Sequence, residues 1–156
     1  RYTHLPQFYL GAAFGWSVPM AFAAQTGAVP PVAWLMFLSV VAWAAAYDTM
    51  YAMVDRDDDL RIGVRSTAIL FGRHDRLAVA ACQLITLLLL WRIGSAAALG
   101  TWFHAGLLAA GATAIWQQWL IRDRRPELCF QAFLNNNQFG LAIFCGILLA
   151  YIFGPA

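Results

Sequence analysis

Between Arg1 and Asp48 the chain carries no aspartate, glutamate, lysine or arginine. A membrane-crossing helix needs about 20 predominantly apolar residues, and this stretch has room for two. The rest of the chain continues in the same manner. Of its 156 residues, 62% are hydrophobic and 12% charged, whereas a soluble domain has about 25% charged residues. A water-soluble core of this length cannot hide so much apolar surface, so the fold class is an all-α integral membrane protein.

Five stretches have spanning length: about 5–26, 32–54, 77–97, 99–121 and 136–153. Gly27 with Pro30 and Pro31 separates the first two, Pro126 marks a stop after the fourth, and the fifth is expected to open after Asn135, Asn136 and Asn137, at least one of which would serve as its N-cap, with a place as polar groups of a cavity as the alternative. Residues 55–76 form a polar, aspartate-rich loop, in which the stretch RSTAILFG predicts a short amphipathic helix ended by Gly72. Alternating crossings put Arg1, Arg56, Arg61, Arg65, Arg73, Arg76, Arg122, Arg124 and Arg125 on one side and only Arg92 on the other. The positive-inside rule then makes the aspartate-rich loop cytoplasmic and the C-terminus external. The three cysteines are far apart and read as small buried hydrophobes. The arginines are interleaved with acids beside a membrane, which argues against a nucleic-acid surface. His4 and His104 lack metal-ligand spacing, and Gln117 and Gln118 are expected to face neighbouring helices or the membrane interface rather than substrate.

The acids are gathered at one point. YDTMYAMVDRDDDLRIGVRSTAILFG, from Tyr47 to Gly72, holds five aspartates and three arginines between Asp48 and Arg65. If the second span stays helical through its end, Asp48, Asp55 and Asp59 fall on one stripe, while Asp57 and Asp58 point elsewhere. Like charges one turn apart repel, and an acid at a membrane edge costs free energy unless it has a partner. Mg²⁺ answers both, because it binds through one or two carboxylates plus substrate phosphates, and arginines nearby fork onto the same phosphates. The combination suggests a diphosphate head whose tail lies in lipid. Two other readings stay open on the residues alone: a solvated loop after a span, and a transporter or scaffold fragment.

The same stretch resembles the second aspartate-rich motif of the UbiA superfamily of intramembrane aromatic prenyltransferases, and most nearly its bacterial members that act on 4-hydroxybenzoate. RYTHLPQ, GWSVPMAFAA and FLNNNQFGL resemble the same group in the same order, so the likeness covers the whole chain. It implies a nine-helix bundle around a cavity, of which this chain would supply helices five to nine. It implies two aspartate-rich motifs that hold Mg²⁺ on the diphosphate of a polyprenyl donor. The second of these falls on Asp55 and Asp59, with Asp48 as the upstream acid and a possible aid to acceptor orientation or proton removal. Arg61 and Arg65 fall where the family has basic residues facing the diphosphate. Arg1 falls where an arginine holds the carboxylate of the acceptor. The implied partners are a polyprenyl diphosphate, 4-hydroxybenzoate and membrane lipid. The implied place is the bacterial inner membrane, in ubiquinone biosynthesis, with another aromatic acceptor as the alternative. Phe14, Trp43 and Tyr51 are candidates for the cavity wall. The family's first motif, NDxxDxxxD, is absent from these residues, so the polypeptide alone is expected to be inactive.

Overall fold

Proline sets where three of the helices begin. Pro6, Pro31 and Pro126 each occupy the first helical turn, where a missing N–H costs nothing and the fixed φ favours entry. A computed structural model describes residues 3–154, and their regular structure is entirely helical. In chain order the helices are α1 (Pro6–Gly15), α2 (Ser17–Thr26), α3 (Pro31–Val54), α4 (Arg56–Ile62), α5 (Thr67–Phe71), α6 (Asp75–Ala96), α7 (Gly100–Leu120) and α8 (Pro126–Phe153). Single 3₁₀ turns, Gly72–His74 and Ile121–Asp123, precede α6 and follow α7.

Three stretches are long and apolar enough to cross a membrane: Pro31–Val54, Thr67–Ala96 and Pro126–Phe153. The other two expected spans differ in instructive ways. The stretch 5–26 is two ten-residue helices with a joint at Trp16. Pro19 is the cause, since it has no N–H to offer the Gly15 carbonyl and its ring crowds that turn; the Ser17 hydroxyl bonds the Phe14 carbonyl at the joint, at 2.8 Å. Helix α7 has 21 residues, about 31 Å at 1.5 Å per residue, but its glycines, His104, Gln117 and Gln118 dilute its apolarity. The last helix also corrects the sequence reading. It begins at Pro126, so Asn135, Asn136 and Asn137 lie inside it and none is an N-cap.

Helix α3 is the centre, packed against α1, α6 and α8. Its buried face is built from small residues, Ala33, Ala42, Ala44, Ala45, Ala46 and Ala52. Small residues let membrane helices approach closely where water supplies no drive to associate. The tightest approach is between α7 and α8. A Cβ added at Gly106 would lie 2.7 Å from both the Ala142 carbonyl oxygen and the Gly146 Cα. Gly106→Ala is therefore expected to push the two helices apart and destabilise the fold by about 1–3 kcal/mol. Thermal unfolding in detergent checks this, with Gly111→Ala as the control, because there the nearest atom, Leu87 Cδ1, is 3.9 Å away. Equal unfolding temperatures for the two variants would contradict the close crossing.

A polar ladder joins the helices inside the bundle. Gln118 donates to Gln83, Gln83 to Gln117, and Gln117 to Asn135, at 3.0, 2.7 and 3.2 Å. Each amide is satisfied by another, which is how uncharged polar groups are accommodated between membrane helices. The expectation for Gln117 and Gln118 holds. The cysteines are free; Cys129 is buried, and Cys82 and Cys145 are half-buried.

Candidate functional site

The aspartate-rich segment is not an open loop. Helix α3 ends at Val54, Asp55 sits at the joint with φ −88° and ψ 3°, and α4 starts at Arg56. The Asp59 N–H still bonds the Asp55 carbonyl at 2.8 Å, so the chain keeps nearly helical progress across the joint. The two carboxylates are thus held one turn apart. Both are half-buried, whereas Asp57 and Asp58 are exposed, which matches the division of the acids by helical phase. Gly63, at φ +71°, ends α4 in the left-handed region, which favours glycine.

Partial burial and the negative charge of Asp55 push the Asp59 carboxyl above the usual aspartate range, with a smaller contribution from Asp58. The buried Ser66 hydroxyl opposes this from close by, although it forms no well-shaped hydrogen bond. The α4–α5 segment is docked by buried polar contacts. The Gln7 side chain accepts from the Thr67 backbone N–H at 3.1 Å, and the Thr49 and Thr67 hydroxyls are 2.7 Å apart.

A second anchor lies behind the acids. The Asp75 side chain is fully buried between two arginines. Arg56 forms an ion pair with it and donates to the Ala68 carbonyl at 2.7 Å. The Arg124 Nε–H reaches both carboxylate oxygens, each at 3.0 Å, and its Nη2 bonds the Arg73 carbonyl at 2.8 Å. Arg124 adopts φ +54°, a strained conformation for a non-glycine residue that persists only where surroundings hold it. Nothing local in the sequence marks this cluster, because Arg56 stands among other flank charges and its partner Asp75 is 19 positions away.

Beside the same helix is a cavity of about 490 Å³ between α1, α3 and α8. Phe14, Trp43, Tyr47 and Phe133 form its aromatic wall, and Asn136 and Asn137 supply polar groups. The Trp43 indole N–H donates to Asn136 Oδ1 at 2.7 Å, fixing both side chains. Ala44 also lines the cavity, and the half-buried Asp48 lies one turn further along the same face of α3. Of the aromatic candidates, Phe14 and Trp43 line the cavity. Tyr51 instead packs edge-on against Phe130 and Phe133. Asn136 and Asn137 thus line the cavity, the alternative to an N-cap that their sequence allows.

The basic residues divide. Arg61 pairs with Asp58 at 3.2 Å, both side chains being exposed. Arg65 is exposed beyond Gly63, and Arg1 lies outside the described residues. Among the described residues no group of three acids, histidines or cysteines could hold a metal. Two carboxylates a turn apart suit Mg²⁺ that takes its remaining ligands from phosphate and water, and do not make a closed protein cage.

Comparison with known proteins identifies the family. The model of the UbiA prenyltransferase family matches residues 1–152. A 4-hydroxybenzoate octaprenyltransferase of Alkalilimnicola ehrlichii is 62% identical over 149 residues, covering 96% of this chain and 51% of the relative. Those of Nitrosococcus oceani and Cronobacter sakazakii are 60% and 57% identical over 152 residues, covering 97% of this chain and 53% and 52% of the relatives. The chain thus spans about half the length of the curated relatives it matches. No solved structure matches it. With the family match spanning nearly every residue and the paired acids standing at the end of an apolar helix, the chain belongs to the UbiA prenyltransferase family.

Proposed function

We propose that this chain provides one half of an intramembrane enzyme that moves a polyprenyl group from its diphosphate to the ring carbon of 4-hydroxybenzoate next to the hydroxyl. The observation that carries the proposal is the half-buried Asp55–Asp59 pair at the end of a spanning helix that also walls an aromatic cavity. The other half of the site would come from a further stretch of polypeptide, as the length of the relatives suggests. In this reading the chain crosses the inner membrane five times, with α1 and α2 acting together as one crossing, the Asp55–Asp59 end cytoplasmic and the C-terminus external.

Asp55 and Asp59 would hold Mg²⁺ on the donor diphosphate. When bound, the ion neutralises the charge that grows on the leaving group as the allylic C–O bond breaks. Arg61 and Arg65 would add charge-assisted hydrogen bonds to the same phosphates; Arg61 can leave Asp58, since an exposed pair of this kind is worth at most about 1 kcal/mol. The aromatic wall of Phe14, Trp43 and Tyr47 would keep water from the reacting carbon. The new bond would form between the allylic carbon and the ring, the ring proton would leave, and Asp48 would orient the acceptor or take that proton. Arg1 would grip the acceptor carboxylate.

Arg1→Ala in the full-length protein tests the acceptor. The KM for 4-hydroxybenzoate is expected to rise at least about tenfold, the loss of roughly 1.4 kcal/mol of charge-assisted bonding, with the donor KM unchanged. An unchanged acceptor KM would point to an acceptor without a carboxylate.

A further inference from the structure

A basic cup sits at the same end of the bundle as Asp55 and Asp59 but on a different face. It has a volume of about 330 Å³ and is lined by Arg73, His74, Arg76, Gln118 and Arg124 along with Leu77 and Ala80. No acid lines it. Of the carboxylates beside it, Asp75 is buried and shared between Arg56 and Arg124 and the exposed Asp123 is paired with Arg122, so the cup keeps a net positive charge. Arg76 is tied to the carbonyls of Arg122 and Gln118 at 3.3 and 3.5 Å, and its buried Nε–H has no acceptor. The Arg73 guanidinium is exposed and has no side-chain partner among the described residues.

Directly beyond the cup an apolar groove of about 780 Å³ runs between α6 and α7. Cup and groove share Ala80 and Gln118. The α6 wall of the pair steps through Arg76, Ala80, Leu84, Leu88 and Trp91 at intervals of three or four, one continuous face of the helix, with Arg73 in the 3₁₀ turn just before it. The groove therefore begins at a cluster of net positive charge and continues along an apolar outer face between α6 and α7. Leu84, Leu88, Leu108 and Ile115 along it are all exposed.

We propose that cup and groove together form a binding site for an anionic phospholipid, with the phosphate among Arg73, Arg76 and Arg124 and one acyl chain lying between α6 and α7. Charge complementarity selects the headgroup, since basic pockets between membrane helices bind anionic lipid heads. Continuity of the groove selects an amphiphile over a free phosphate. The inference is independent of prenyl transfer and requires only that the bundle lie in a membrane.

The test is lipid retention by the purified protein taken from nanodiscs of phosphatidylcholine mixed equally with phosphatidylglycerol of the same acyl chains, measured by mass spectrometry. Phosphatidylglycerol is expected to be retained at least about tenfold over phosphatidylcholine. Arg73→Gln should lower that preference roughly fivefold, corresponding to about 1 kcal/mol for one arginine near an anionic surface. Gly111→Leu should reduce retention by filling the groove, because Gly111 lines it and a Cβ there makes only an ordinary contact, 3.9 Å from Leu87 Cδ1. Ala112→Trp, also in the groove wall, replaces it if that variant does not fold. Arg122→Gln, which lies outside the cup and is paired with Asp123, should change nothing. Four results would overturn the proposal: equal retention of the two lipids, an Arg122→Gln effect as large as that of Arg73→Gln, displacement by glycerol phosphate alone, or retention of neither lipid, which would leave the groove to another helix.

Discussion

Replacing both Asp55 and Asp59 with asparagine is expected to abolish Mg²⁺-dependent binding of a polyprenyl diphosphate by the full-length protein, a loss of more than about 100-fold. Two unit charges about 4 Å apart interact by roughly 4 kcal/mol at the effective dielectric of a protein surface. Removing even one carboxylate from a divalent ion therefore exceeds the 2.7 kcal/mol or so that corresponds to 100-fold. Asparagine keeps the shape and the helix, so a folding defect is not expected. The acidity of Asp59 adds a second signature. Its carboxyl titrates above the ordinary aspartate range because of partial burial and the Asp55 charge. A folded-state value raised above the unfolded one means that the folded protein binds this proton more tightly. Acidification through the raised value thus slightly favours the metal-free fold, while it weakens Mg²⁺ binding by competition. Opposite slopes of stability and affinity in that window are expected in the wild-type protein. In Asp59→Asn the Asp59 contribution to both slopes should vanish. Titration calorimetry and thermal unfolding at a series of pH values read the two separately.

Asp75→Ala is expected to cost about 3 kcal/mol of stability. The buried carboxylate is the common partner of Arg56 and Arg124, and removing one member of such a group strands the others, typically at 3–5 kcal/mol. The low end applies because the arginine side chains are 22% and 33% exposed and keep some water. Arg124→Gly should cost less. It breaks one bridge but relieves the φ +54° backbone, and Arg56 retains its partner. Thermal unfolding in detergent of the two variants gives the order. An Asp75→Ala variant as stable as wild type would show that the cluster does not hold α4 and α6 together.

Asp75 also shows what the sequence can and cannot reveal. Its partners lie 19 and 49 positions away, beyond the reach of any helical period, so nothing local distinguishes this aspartate from a solvated one. Asp55 and Asp59 are the opposite case. Their relation is local, set by one turn of helix, and phase alone separates them from Asp57 and Asp58. The asparagines lie between these extremes. Three polar residues at the edge of an apolar run look like a helix start in water. Inside the bundle two of them are satisfied by Gln117, 18 positions away, and Trp43, 93 positions away, and the helix runs through them. The joint at Trp16 was readable from Pro19, since the lost bond is a local consequence of the ring; hydropathy alone masks it, because both halves are free of charge.

The central claim is that the α3–α4 junction carries a Mg²⁺-dependent diphosphate site. The most direct measurement is binding of farnesyl diphosphate to the full-length protein in nanodiscs, with excess Mg²⁺ and again with a chelator. The account predicts saturable binding with Mg²⁺ that falls at least about 100-fold with the chelator and is lost in the double asparagine variant. Binding of equal strength in all three samples, or no binding with Mg²⁺ present, would contradict it.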